Sequence, residues 1–492
     1  MLNRDLTDYN QLNRTPFHMP GHKRQNLTGV DLPYEKDYTE VEGLDDLHHP
    51  EGILKAAMER TAAMYGVDRT WYLVGGSTVG NLAGLYALAP YGSEVICTRV
   101  MHRSILHGLM LAGYRVHYVM PDYVEELGCY GGVRAEAVKE ILKRYPQSKA
   151  VILTSPTYEG ILSEVDKIVE IAHAAGIPVL VDEAHGSHLD VHFQNGERSD
   201  FPKGAVSAGA DVVIQSTHKT LLGLTQSAWM HLQGNLVEAE RIDEALDIFE
   251  TSSPSYILMN SLDACTDYIQ KEGKALFNQW KKHLQSVEEC GKAFHNLELK
   301  VYNAQRDGYQ KDPSKILIYE KHGRLSGYEI ATRLREIYAI ETEMATENYC
   351  LAMTGPGDTQ SSYVLLLNAL KEMDATLDQM KEKTIDLCQA VPQLSGGDAV
   401  RYSLAEASHM PKENVMLKAC KGRICGEEVF CYPPGIPLVL PGEEISEDMA
   451  AYLCDLEAQG KLRHGKKHPD NSITVIKETD SDAKDLDGIL RG

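Results

Sequence analysis

Between about residues 69 and 226, short apolar runs alternate with stretches whose apolar positions recur at helical spacing. That alternation predicts a mainly parallel sheet joined by crossover helices. The expected strands are Glu94-Val95-Ile96-Cys97, Val116-His117-Tyr118-Val119, Ala150-Val151-Ile152-Leu153, Val179-Leu180-Val181 and Val212-Val213-Ile214. Before the fourth of these, Val165, Ile168, Val169 and Ala172 share one helix face, Ser163 and Asp166 have the spacing of a capping box, and Gly176 is placed to stop the helix. Residues 256–295 read as one or two long helices. A second α/β pattern follows, with Ile316-Leu317-Ile318-Tyr319 as strand, 327–337 as helix and a further strand and helix through Leu370. A charged helical stretch over 371–387 then leads to a turn-rich part containing Tyr432-Pro433-Pro434-Gly435-Ile436-Pro437. The expected division is an arm over 1–30, a major domain over 31–295 and a smaller C-terminal domain over 296–492, whose terminal segment starts near 390.

The polar residues that interrupt this pattern carry the chemistry. Lys219 stands in Gln215-Ser216-Thr217-His218-Lys219-Thr220, directly after the run Val212-Val213-Ile214. In open α/β sheets, ligands sit at the carboxyl ends of the strands. The run ending at Val181 delivers Asp182-Glu183-Ala184-His185 to the same edge. A lysine able to form a Schiff base and an acid able to face a pyridinium nitrogen suggest pyridoxal phosphate. His102 follows Val95-Ile96 and opens a helix at that edge, where it is placed to stack on a pyridine ring. Gly75-Gly76-Ser77-Thr78-Val79-Gly80-Asn81 precedes a helical pattern, so its amides and hydroxyls, with Ser216 and His218, form a plausible phosphate cup.

Composition narrows the class. The chain has 492 residues, 43% hydrophobic and 24% charged, as in ordinary globular proteins. No apolar run reaches the length of a membrane span, and the polar start Met1-Leu2-Asn3-Arg4-Asp5 is unlike a signal peptide, so a cytoplasmic location is expected. A net charge of −22 opposes nucleic-acid binding, which needs clustered Lys and Arg, and suits a cationic small molecule. Asp182-Glu183-Ala184-His185 has the letters of a helicase box, but no Walker A loop accompanies it. The ten cysteines show neither zinc-ribbon nor disulfide spacing; Cys420, Cys425 and Cys431 lie close together without a fourth ligand, so no metal is expected. The prolines and glycine in Thr15-Pro16-Phe17-His18-Met19-Pro20-Gly21-His22-Lys23 make that segment extended, which argues against a metal site at His18 and His22.

These motifs resemble, nearly end to end, the bacterial ornithine/lysine/arginine decarboxylases of the aspartate aminotransferase fold (fold type I). The match includes residues 18–23, Gly43-Leu44-Asp45-Asp46-Leu47-His48, Gly76-Ser77-Thr78, Ser155-Pro156-Thr157-Tyr158-Glu159-Gly160, Asp182 to Gly186, Gln215 to Leu221, Thr225-Gln226, Ser253-Pro254-Ser255-Tyr256 and residues 432–437. The resemblance implies Lys219 as the cofactor-bearing lysine, Asp182 on the pyridine nitrogen, His102 stacked on the ring and His185 beside it. It implies Ser77, Thr78, Ser216 and His218 around the phosphate, Ser252 or Ser253 reaching the site of a partner in a homodimer or larger assembly, and Glu427 reading the substrate's distal cation. Gly75 stands where the family often has asparagine, and Val100-Met101 replace the usual pair before the histidine. The short architecture looks like the biosynthetic type.

The expected reaction is therefore decarboxylation of a basic L-amino acid, foremost arginine to agmatine for polyamine synthesis, with lysine or ornithine as alternative substrates. Asp182 would keep the pyridine nitrogen protonated, and Lys219 or His218 would return a proton to the α-carbon. Transamination on the same fold and a silent cofactor-binding regulator are the rival functions.

Overall fold

The computed structural model describes residues 1–12, 14–302, 309–380, 394, 399–431, 436–464 and 471–477. Its centre is a seven-stranded sheet in the order Arg69–Leu73, Ala228–Leu232, Val212–Gln215, Val179–Asp182, Val151–Thr154, Glu94–Thr98, Arg115–Val119. Only Ala228–Leu232 runs against the rest. Successive residues of a strand point to opposite faces, and the core divides accordingly. Ile96, Val151, Leu153, Val179, Val181 and Val213 join one buried cluster. Val95, Cys97, Ile152, Leu180, Val212 and Ile214 join the other. A sheet buried on both faces explains why the strands read as unbroken apolar runs.

All the expected strands form, but the edge strand Arg69–Leu73 and the reversed strand Ala228–Leu232 were not among them. Both mix charged or large polar-tipped residues with apolar ones, so they lack the runs that betray the others. The crossover helix is Val165–Ala174, and Gly176 follows it at φ +68° as a left-handed stop. Its expected capping box is absent. Ser163 Oγ instead accepts from Val133 N–H (2.9 Å), and Glu164 Oε2 accepts from Ala135 N–H (2.9 Å), because both side chains turn to bind the neighbouring loop.

The expected arm opens with a helix, Leu2–Gln11, whose Leu2 and Leu6 are buried and whose Leu2 N–H reaches Asp263 Oδ2 at 2.6 Å. Asp263 lies on the helix Tyr256–Gly291, which is one unbroken helix of 36 residues. A four-stranded antiparallel sheet follows, in the order Leu297–Lys300, Lys315–Glu320, Tyr349–Met353, Met344–Ala345, with the helices Gly327–Tyr338 and Gln360–Leu377. The expected charged stretch after Lys371 continues that last helix only to Leu377, and 381–387 lie outside the described residues. The C-terminal part has its own core around Cys425, Val429, Val439, Leu453 and Ile473. Buried Arg99 ties it to the central sheet by donating to the carbonyls of Pro437 (2.9 Å) and Leu438 (3.1 Å) and pairing with Glu443 (3.0 Å). Among the described residues, no helix is long and apolar enough to cross a membrane, and no cluster of His, Cys, Asp and Glu has the form of a metal site.

Candidate active site

The parallel strands end in one group of side chains. Val179–Asp182 finishes on Asp182, Val212–Gln215 runs into Ser216 and the single turn Thr217–Thr220 that carries Lys219, and the connection after Glu94–Thr98 brings His102 to the start of the helix Arg103–Leu111. The helix Gly76–Leu88 begins beside them. Gly76, at φ +74°, is buried so closely under the chain that a Cβ would meet Gln226 O at 3.3 Å. A side chain there would be strained twice over.

Lys219 Nζ lies 3.1 Å from His185 Nε2. Burial pushes the Lys219 amine below the ordinary lysine range, opposed by the fields of Asp182 and Glu343. Burial, reinforced by the charges of Lys219 and Lys315, holds His185 well below the usual histidine range. A neutral imidazole therefore accepts from the lysine through Nε2. Its buried Nδ1 finds no partner among the described residues, a cost that structures seldom carry without a reason. The Tyr158 ring covers His185 at 4.4 Å between centroids.

Asp182 is 3% exposed. Its Oδ1 accepts from Ala184 N–H (3.1 Å) and its Oδ2 from Asn81 Nδ2 (3.0 Å). Asn81 Nδ2 also donates to Ser104 Oγ (2.8 Å), and Ser104 Oγ lies 2.7 Å from His102 Nδ1, which accepts from Ser104 N–H at 3.2 Å. Because Nδ1 is an acceptor, the Ser104 hydroxyl donates to it. His102 thus caps its helix in a defined orientation, and one continuous set of hydrogen bonds links it to Asp182. Burial lowers its pKa, with Asp182 opposing and Lys219 reinforcing the shift.

At the glycine-rich loop, Ser77 Oγ and Ser216 Oγ meet at 2.5 Å. Glu250 accepts from the N–H groups of Val74 and Gly75 (both 3.0 Å) and so fixes the loop without occupying the helix start. Thr78 is exposed in the first helical turn. His218 Nδ1 lies 2.9 Å from Ser227 O; a carbonyl only accepts, so Nδ1 carries a proton, and Nε2 makes no hydrogen bond among the described residues.

Lys219, His218, Ser216, Asp182, His185, His102, Ser77 and Thr78 therefore collect at one sheet edge. Ser252 and Ser253 stand exposed before the long helix. Glu427 behaves differently. Its carboxylate is buried in the C-terminal part, accepting from Thr474 N–H (2.6 Å) with His464 at 3.5 Å. The next residue, Glu428, instead reaches the helix that His102 caps, bonding Arg103 Nε and His107 Nε2 (both 2.7 Å). Residues 432–435 of the Tyr-Pro-Pro-Gly motif lie outside the described residues.

Several site residues escaped the sequence reading. Asn81 and Tyr158 stand inside motifs that were singled out, but their targets are distant in sequence. Buried Lys315 donates to His185 O (3.0 Å), Ser314 Oγ (2.9 Å) and Asp312 Oδ2 (2.8 Å), and His188 Nε2 meets Asp312 Oδ1 at 3.1 Å. No local pattern announces that support.

The donor set fits pyridoxal phosphate: a buried amine, a buried carboxylate, flanking imidazoles, one of them with an unpartnered nitrogen, and hydroxyls at a helix start. The fold agrees, since a lysine decarboxylase of Francisella novicida superposes with TM-score 0.80 over 97% of this chain and 81% of that one at 19% identity. The fold is fold type I, as in aspartate aminotransferase. Residues 2–302 match the Orn/Lys/Arg decarboxylase major domain and residues 397–466 the C-terminal domain, so the chain belongs to the Orn/Lys/Arg decarboxylase family. It is similar to an arginine decarboxylase of Bacillus subtilis (strain 168), 32% identical over 479 residues and covering 94% of each chain. An arginine decarboxylase of Bacillus anthracis is 30% identical over 489 residues and covers 96% of each.

Proposed function

We propose that the protein decarboxylates L-arginine to agmatine and CO2 with pyridoxal 5'-phosphate bound at the sheet edge. The observation that carries this is the pairing of Lys219 with neutral His185 beside buried Asp182. The names of the Bacillus relatives support arginine over lysine or ornithine.

Bound there, the cofactor supplies an electron sink for the electron pair that the departing CO2 leaves behind. Lys219 would be the residue that holds the cofactor covalently through Nζ. Its depressed pKa keeps more of it unprotonated near neutrality than an exposed lysine would be. Asp182, oriented by Asn81 and Ala184, would keep the ring nitrogen protonated by its charge. His102, oriented by Ser104, would hold the cofactor ring by stacking. Ser77, Thr78, Ser216 and His218 hold the phosphate, and Ser252 of a second copy completes that group in a homodimer or larger assembly. Lys219, or His218 once its Nε2 has taken up a proton, would return a proton to the substrate's α-carbon. Glu427, which the family resemblance implied for the substrate's distal cation, holds the Thr474 N–H instead (2.6 Å), and it reads that cation only if the bond is given up; Glu427→Gln that leaves substrate binding unchanged removes it from that role.

The test is kcat/KM for arginine, lysine and ornithine, read as CO2 with the matching amine. Agmatine with arginine preferred supports the proposal. Preference for lysine or ornithine overturns the arginine assignment, and a keto acid product would mean transamination.

A further inference from the structure

Glu343 precedes the short strand Met344–Ala345 in the second sheet, and its side chain is exposed. The Tyr158 hydroxyl donates to Glu343 Oε1 at 2.6 Å. The Tyr158 ring lies against His185 at 4.4 Å and 50°, and His185 Nε2 lies 3.1 Å from Lys219 Nζ. A continuous wall of two aromatic rings thus runs from the reactive amine to an anion. An amino acid whose α-carbon sits at Lys219 would lay its aliphatic tether along those rings and present its distal cation at their far end. Carboxylates placed elsewhere are already committed: Glu428 to Arg103 and His107, Glu427 to Thr474 N–H. Among the described residues Glu343 has no ion-pair partner.

We propose that Glu343 is a specificity-determining residue that binds the substrate's distal guanidinium, with the Tyr158 hydroxyl orienting its carboxylate. This rests on the basic-amino-acid reading above. The charge of Glu343, after that of Asp182, acts on Lys219. A carboxylate offers guanidinium a bidentate contact and an ammonium only a point charge, so arginine gains most from this arrangement. Aromatic faces beside it add cation–π attraction.

The experiment titrates the holoenzyme and its Glu343→Gln, Glu343→Asp and Tyr158→Phe variants with agmatine, which keeps the guanidinium and lacks the carboxylate, by calorimetry. In parallel, kcat and KM are measured for arginine and for uncharged norvaline. Glu343→Gln should weaken agmatine about 10- to 100-fold, raise KM for arginine by a similar factor with kcat nearly held, and leave norvaline unchanged. Glu343→Asp should recover part of the loss, and Tyr158→Phe should cost less than Glu343→Gln. Agmatine affinity within twofold of wild type in Glu343→Gln, or no agmatine binding by the wild type, overturns the proposal. Wild type that yields no CO2 but binds agmatine through Glu343 overturns the decarboxylase reading alone and leaves this site standing.

Discussion

Two buried lysines flank His185 and have opposite fates. Lys315 Nζ is wholly buried and makes three hydrogen bonds, to the His185 carbonyl, the Ser314 hydroxyl and the Asp312 carboxylate. Its charge is neutralised and its protons are spoken for. Among the described residues Lys219 Nζ has one hydrogen-bond partner, the neutral His185 ring, and burial depresses its pKa. A saturated ammonium is structural, whereas an under-committed amine is available to react. Burial alone does not mark a functional lysine; the shortage of partners does.

Removing each lysine should break different things. Lys219→Ala should reduce turnover by at least about 10^4-fold while the melting temperature stays near that of wild type, read by CO2 release and calorimetry. Lys315→Met should act mainly on stability, because it leaves the Asp312 carboxylate buried without its ammonium partner; a loss of about 3–5 kcal/mol in denaturant unfolding is expected. If Lys315→Met instead unfolds like wild type, the division between a structural and a reactive lysine is wrong.

Lys311 sharpens the comparison further. It is fully buried among the carbonyls of Val301, Asp312 and Lys315, and burial lowers its pKa from 10.5 to about 7, Asp312 opposing the shift. Between those values the unfolded chain holds a proton that the folded chain does not, so this residue makes stability rise with pH across that window. Wild type should therefore gain on Lys311→Met by an amount on the order of 3 kcal/mol between pH 7 and pH 10, measured by urea unfolding. Equal pH slopes in the two proteins would show that Lys311 stays charged.

Sequence and structure agree where chemistry follows an apolar run. Asp182 ends a buried strand, and Lys219 and His102 follow buried strands within a few residues, so the strand pattern itself brought them to one edge. Pairings across long sequence separations were not legible: nothing near Lys315 in the chain announces His185, and nothing near Asn81 announces Asp182. Local signals also misled where a loop outbid the helix, as with Ser163 and its bond to Val133. Adjacent residues on an extended segment face opposite ways, and the sequence could not tell which of Glu427 and Glu428 turns toward the helix carrying His102.

The most direct measurement is borohydride reduction of the cofactor-loaded protein followed by peptide mapping with mass spectrometry. The cofactor should be fixed on Lys219 alone, with Lys315 and Lys311 unmodified. A cofactor fixed on any other lysine, or none fixed on a protein shown to be loaded, would contradict this assignment.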